Sequence, residues 1–430
     1  MKKILITSIV ASSILMASGY KIPEASTNAV ALSAANIAYN QNNADAAYYN
    51  PANMVFMSNK NNIEADVMYL GIDATKFSGD VKTSRGNNLN SQSESFVVPS
   101  IHYVSAKLPE SNVRFGLSIV SPGGLSKRWS EEPAKTSAEE FTLQLIEVNP
   151  SLAFEINPSL AFAIGIRMVH TSGIVKSDGT ALVGVLPANP PTKVYSKLTR
   201  DLTGDSVDFG YNLALAYHPT DNLALAVTYR SKIDLTVDGS ADLSSQTSNG
   251  AIPSATYSGN ASVSVPLPAT FSAAISYTLA TKTTIEIVYE KAYWSAYKNL
   301  DFNYDGTITN PVLLGAFDAS KDRNWKDTEA YRLGITQTFD NLTIMAGAVI
   351  DNTPVPSKTL GFELPGSNSK SVSLGARFKL NESMSMGVSG LYSTRESRTI
   401  NSSDNNDNGI VGEFSDGNIL ILSAGVGYTF

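Results

Sequence analysis

The 430-residue sequence contains no cysteine. That absence removes disulfides, thiolate zinc sites, iron–sulfur clusters and thiol nucleophiles together. Histidine is nearly as scarce: His102, His170 and His218 are the only three, and their wide separation argues against a histidine-based metal cluster. Charged residues make up only 17%, with a balance of -7 and a pI near 5.2, which excludes a strongly basic nucleic-acid binder. Beyond the N-terminus no run of about 20 consecutive apolar residues occurs. Mean hydropathy is -0.06, so a bundle of membrane helices is excluded too. Two classes survive, a soluble all-β protein and a barrel in an outer membrane. Composition does not separate them.

Residues 1–17 read as a secretory signal peptide. Lys2 and Lys3 give the positive start, Ile4 to Met16 the apolar stretch, and Ala17-Ser18-Gly19 the small-residue exit. Such a core is too short to span a bilayer and favours cleavage, after Ala17 or Gly19. No cysteine follows to carry a lipid anchor.

From about residue 60 the dominant period is two, which sends successive side chains to opposite faces of a strand. Val372, Leu374, Ala376, Phe378 and Leu380 oppose Ser371, Ser373, Gly375, Arg377 and Lys379. Leu420, Leu422, Ala424, Val426, Tyr428 and Phe430 form one face of the last segment, although Ile419 and Ile421 break its polar face. In a sandwich the small and polar set would meet water; in a membrane barrel it faces the lumen while the apolar set meets lipid.

The connections favour the barrel. Fourteen candidate strands start near Ile63, Phe96, Val113, Leu143, Leu160, Val207, Leu223, Pro268, Thr284, Thr328, Leu342, Ser371, Met384 and Asn418. Short turns such as Asn157-Pro158-Ser159 and Asn381-Glu382-Ser383 alternate with long polar links over 79–95, 177–203, 239–260 and 393–417. Short periplasmic turns and long outer loops are the outer-membrane pattern. In hydrocarbon an open sheet edge would strand its backbone donors and acceptors, and closure removes both edges. Tyrosines and tryptophans near the strand ends, Tyr217, Tyr277, Tyr289, Trp294 and Tyr428 among them, suit an interfacial girdle. The expected architecture is an all-β, 14-stranded antiparallel transmembrane barrel over 60–430, its lumen plugged by a small, partly helical N-terminal hatch over 18–59. Within the hatch, Pro51 forces Asn50 out of helical conformation, so a helix should end there.

Asn50-Pro51-Ala52, preceded by Ala44-Asp45-Ala46 and by Ser18-Gly19-Tyr20-Lys21-Ile22-Pro23, resembles the hatch of the FadL family of outer-membrane transporters, which includes the toluene and xylene channels. Val120-Ser121-Pro122-Gly123-Gly124-Leu125 resembles the family's third-strand exit, with Gly123-Gly124 standing where an aromatic–glycine pair is expected. Leu225-Ala226-Val227-Thr228-Tyr229-Arg230-Ser231 and Gly347-Ala348-Val349-Ile350-Asp351-Asn352-Thr353-Pro354-Val355-Pro356 resemble two further stretches. The resemblance implies fourteen strands, a hatch made by the first residues, and uptake of hydrophobic molecules.

On this reading Gly19, Tyr20, Asn50, Pro51 and Ala52 serve hatch and gating. Ser121, Pro122 and Gly123 break strand pairing and could open the wall sideways, since proline lacks a ladder donor and glycine a side chain; simply ending the strand is the other reading. Leu125, Lys127, Arg128, Trp129 and Leu186 are candidates for ligand entry, being apolar or basic residues in outer loops; the other readings are loops that fold on small cores of their own, and a basic pair that contacts anionic lipopolysaccharide. Asp404, Asn406, Asn408 and Gly409 open like a calcium loop, but Ser415 occupies the position of the bidentate glutamate; an Asn/Asp-rich outer loop is the preferred reading. No cofactor, metal or catalytic residue is expected. The expected partners are hydrophobic small molecules (fatty acids or aromatic hydrocarbons), outer-membrane lipid and lipopolysaccharide, and the barrel-assembly machinery, with the chain as a monomer. The rivals are a porin for small hydrophilic solutes and an outer-membrane lipid hydrolase, which would need a serine within reach of a histidine.

Overall fold

A computed structural model describes residues 19–40, 42–82, 84–188, 190–247, 253–306 and 308–430. The segment 1–17, read above as a signal peptide, and Ser18 lie outside the described residues. Fourteen antiparallel strands form the wall: β1 (Asn62–Ile72), β2 (Glu94–Val104), β3 (Val113–Val120, resuming at Gly124–Arg128), β4 (Glu140–Asn157), β5 (Leu160–Leu186) and β6 (Thr192–Thr220). Then come β7 (Leu223–Arg230, resuming at Ile233–Thr247), β8 (Ala255–Leu267, resuming at Thr270–Thr278), β9 (Thr283–Ala292), β10 (Thr328–Thr338), β11 (Leu342–Asp351), β12 (Ser369–Lys379), β13 (Met384–Arg395) and β14 (Ile419–Thr429). The sheet closes where β14 returns to β1, with Asn62 opposite Thr429 and Ile72 opposite Ile419.

Period-two patterning becomes inside and outside as the barrel requires. Val372 and Leu374 are 64% and 63% exposed, while Ser371, Ser373 and Arg377 are buried in the lumen. Ile419 and Ile421, which break the polar face of β14, point inward and pack with Ile22 and Val30 of the hatch. Their apolarity fits a hatch surface rather than lipid. Exposed Tyr211, Tyr331 and Tyr392 lie towards the outer rim, and Tyr217, Tyr277, Tyr428 and Phe430 towards the turn-bearing rim.

The long links over 177–203 and 239–260, read as polar loops, are largely strand. β5 and β6 run on as a hairpin, as do β7 and β8. At ~3.3 Å per residue the 27 residues of β5 extend roughly 90 Å, far beyond an apolar band of about 25 Å. Above the lipid neither face needs an apolar series, so the alternation fades while the ladder continues. Residues 75–81, 84–90, 398–400 and 410–416 form a separate four-stranded sheet over the outer end.

Inside the barrel sits the hatch. Two short helices, Thr27–Ala31 and Ala46–Tyr49, are followed by a 3-10 turn over Pro51–Phe56. The second helix ends where proline dictates: Asn50 is extended (φ -150°, ψ 90°), and its side chain accepts the Ala52 N–H. The first helix lies against a track of small wall residues. A Cβ on Gly347 would stand 2.3 Å from the Leu32 carbonyl carbon, and one on Gly375 2.5 Å from the Ala31 Cβ.

Candidate functional site

The third strand is where the wall loosens. β2 pairs with β3 only over Ile101–Val104 against Gly116–Ile119. Among the described residues, no ladder pairing joins 94–100 of β2 to β3 across the Ser121-Pro122-Gly123 break. Above the gap, the Gln92 N–H donates to the Arg128 carbonyl (2.8 Å) and Arg128 pairs with Glu94. From inside, the N-terminal segment lies along the break as a short strand. The Ile22 N–H donates to the Pro122 carbonyl (3.0 Å), the Gly124 N–H to the Tyr20 carbonyl (2.7 Å), and Lys21 bridges Gly123. β7 and β8 break at matching places, Ser231-Lys232 and Pro268-Ala269.

Adjacent residues of that segment serve two different chambers. Tyr20 lines an apolar cavity with Leu125, Leu202, Phe302 and Trp325. Its ring meets Trp294 edge-on at 4.7 Å, and its hydroxyl donates to the Pro266 carbonyl. Burial pushes that hydroxyl well above the usual tyrosine range, so it stays a neutral donor. Lys21 lines a second cavity with Pro122, Arg167, Arg230, Glu290 and Arg332. There its ammonium pairs with Glu290 at 2.8 Å. Residues 20 and 21 thus partition an apolar chamber from a charged one.

The apolar chamber's own charges are Arg323 and Glu363, paired at 2.6 Å. Burial pushes the Glu363 carboxyl up, but Arg323, a backbone hydrogen bond and Lys321 together hold the group below its ordinary value. One further cation adjoins this wall. Arg200 is 5% exposed and lies over the Phe302 ring at 4.6 Å. Its Nη2 donates to Ser177 Oγ (3.1 Å), while Nε and Nη1 meet no acceptor with hydrogen-bond geometry. Among the described residues, no carboxylate lies within ion-pair distance of Arg200. Nearby Lys321 is pushed down to about 8, by burial first and then by Arg200. Arg200 thus stands beside the apolar chamber through Phe302, while itself lining a separate polar pocket with Glu139, Asp178, Asp201 and Asp242.

The residues singled out in the sequence fall into distinct places. Leu125 lines the apolar cavity. Lys127 is buried, with Nζ on Thr75 Oγ1 (3.0 Å) and Ser91 Oγ (3.3 Å), and Arg128 is spent on Glu94. Trp129 is 1% exposed, donates to the Phe362 carbonyl (2.9 Å) and packs inside the outer domain. Leu186 sits apart, at the tip of the β5–β6 hairpin. Asn406 and Asn408 both donate to the Leu360 carbonyl and so pin the outer loop; Asp404 accepts the Asn401 N–H. A serine and a histidine do meet: His102 Nδ1 lies 3.0 Å from Ser118 Oγ, but both are enclosed, and Nε2 lies 3.0 Å from the Ala25 carbonyl of the hatch. Neither lines the two chambers, so the pair tethers the hatch. Trp294, read in the sequence as a girdle residue, is instead fully buried against Tyr20 and Trp325; Arg200, Trp325 and the Arg323–Glu363 pair did not stand out in the sequence, their signal being an isolated charge or indole within an otherwise polar outer segment.

A closed fourteen-stranded barrel with an internal hatch and a partitioned lumen defines an outer-membrane transport protein. The family model described as outer membrane protein transport protein (OMPP1/FadL/TodX) matches residues 8–430, and the chain belongs to that family. It is 25% identical over 382 residues to a long-chain fatty acid transport protein of Escherichia coli O157:H7, covering 82% of each chain. Its fold matches a FadL homologue of Pseudomonas aeruginosa, with TM-score 0.78, 19% identity and coverage of 96% of this chain and 99% of that one. It also matches the P. putida toluene transporter TodX, with TM-score 0.69, 16% identity and coverage of 94% and 98%.

Proposed function

We propose that this outer-membrane protein takes up apolar-tailed carboxylates, the chemistry of long-chain fatty acids, by passive conduction. The observation that carries this reading is Arg200, a buried cation without a carboxylate partner, lying on an aromatic ring of an apolar chamber. Burying a charge with no ion-paired carboxylate is costly, and a ligand carboxylate would relieve that cost while its tail entered the apolar cavity. The fatty-acid relative in E. coli O157:H7 supports the same chemistry. Ligand enters through the outer domain past Leu125. Displacement of Gly19 and Tyr20 then opens the partition, and the unpaired stretch at Ser121-Pro122-Gly123 gives a sideways exit into the membrane. Asn50, Pro51 and Ala52 position the hatch beneath. Lys127, Arg128, Trp129 and Leu186 contribute by shaping the outer domain through which ligand arrives. No catalytic step is involved, and the protein works as a monomer in lipid and lipopolysaccharide after insertion by the barrel-assembly machinery.

The test compares uptake of labelled oleate and toluene by cells with and without the protein, and in the Arg200→Gln variant. Oleate uptake should require the protein and fall at least tenfold in Arg200→Gln. Toluene uptake that depends on the protein and ignores Arg200, with oleate uptake unchanged by deletion, would assign a neutral cargo instead. Deletion of residues 18–23 should abolish regulated uptake.

A further inference from the structure

Glu286 sits on β9 between Ile285 and Ile287, with its carboxylate in the lumen and 3% exposure. Oε1 accepts the N–H groups of Ile37 (2.6 Å) and Ala38 (2.7 Å), and Oε2 accepts that of Tyr39 (2.9 Å). Three consecutive backbone donors of the hatch therefore converge on one wall carboxylate. Among the described residues no lysine or arginine pairs with it, so the anion is held by amide dipoles alone, as anions are held in backbone nests.

The carbonyls of the same tripeptide are held from the other side. Asn50 Nδ2 donates to the Ile37 carbonyl at 3.0 Å; Asn53 Nδ2 donates to the same oxygen at 2.9 Å and to the Ala38 carbonyl at 3.3 Å. Ile37, Ala38 and Tyr39 are thus gripped by the wall through their donors and by the Asn50-Pro51-Ala52-Asn53 turn through two of their acceptors. Ala35, Ile37 and Ala38 also pack on Ala224, Ala226, Ala274 and Val288 of the wall. Residues 19–23 are held differently: the backbone of 20–22 bonds to the third-strand break, while Tyr20 reaches Pro266 and Lys21 pairs with Glu290 through their side chains. The hatch has two mechanical parts, a free end and a bolted body.

We propose that Glu286 is the barrel-side catch that keeps the hatch body seated as a permanent seal against small hydrophilic solutes, while cargo moves with that body in place. Removing the carboxylate orphans three buried amides, which is unfavourable, and a glutamine presents a donor to at least one of them. Either change unseats the body and leaves a lumen wide enough for ions and water.

The experiment uses the full chain in planar bilayers with potassium chloride, and in cells with labelled oleate. In Glu286→Ala, ion conductance should rise at least tenfold over the parent, with oleate uptake within twofold. Glu286→Gln serves the same purpose if the alanine variant does not assemble. Parent-like conductance in assembled Glu286 variants would overturn the proposal, as would loss of oleate uptake in them. The conductance arm does not depend on cargo identity. If the parent takes up no oleate, the reading of the cargo fails while the leak still decides the role of Glu286.

Discussion

Gly123 is bare where the Tyr20 carbonyl approaches it: a Cβ there would stand 2.5 Å from that oxygen. The close approach lets residues 20–22 lie along the broken third strand and bring Tyr20 to its tryptophans. Gly123→Val should therefore lift the segment off the wall without disturbing the distant barrel ladders. Trypsin should then cleave after Lys21 at least tenfold faster than in the parent, with unchanged heat-modifiable migration on gels. Equal cleavage rates would show that the segment does not depend on this contact.

Arg114 organises the descent from hatch to wall. Its guanidinium donates to the carbonyls of Ser105, Met54, Met57, Ser58 and Lys60. An Arg114→Met change strands these carbonyls, some of them buried, and at the usual worth of hydrogen bonds to a charged group should cost about 3 kcal/mol. Lysine should not rescue it, because one ammonium cannot span the fork. Urea unfolding in detergent micelles checks both statements, and parent-like midpoints would refute them.

Gly347 gives way to the end of the first hatch helix. Gly347→Leu would place a side chain where Leu32 and Ser33 pass and would also disturb the neighbouring Ser33–Ser373 hydroxyl contact at 2.8 Å. The barrel should assemble with its hatch displaced. Hydrogen exchange over residues 27–35 should accelerate at least tenfold while β11 and β12 stay protected, and unchanged exchange would show that the hatch tolerates the side chain.

What could be read from the chain and what could not divide along a physical line. Alternation in β12 and β14 reports which face meets lipid, because every outward residue obeys the same solvent. Pro51 and Pro122 act locally, so the end of a helix and the break in a strand are visible without partners. Arg377 on the polar face of β12, and Glu286 between two isoleucines of β9, also appear as isolated lumenal charges. Their partners cannot be found that way: Arg377 reaches Asn28 and Glu64, and Glu286 reaches Ile37, all through closure of the sheet. The length of β5 and β6 was hidden for the complementary reason, since a strand standing in water on its outer face carries no apolar code. Arg200 lay within that uncoded stretch.

Glu24 marks the junction between the free end of the hatch and its bolted body, and it makes that junction sensitive to pH. Burial pushes its carboxyl up to about 7; Arg332, 3.8 Å away, opposes the shift, while Asp351 and Glu290 add to it. The unfolded group ionises near its ordinary 4.5, so between about 4.5 and 7 the seated hatch binds more protons than the released one. Its contribution is therefore most favourable below that window and is lost as pH rises through it. Burial also pushes the Asp45 carboxyl up, beside Glu64 and Arg377, which gives the same sign. Amide protection of residues 24–32, corrected for intrinsic exchange, should fall from pH 5 to pH 8. Glu24→Gln should remove part of that fall, and Glu24→Gln with Asp45→Asn most of it. Protection that is flat in the parent, or that rises with pH, would mean that the two carboxyls are ionised in the seated hatch throughout the range.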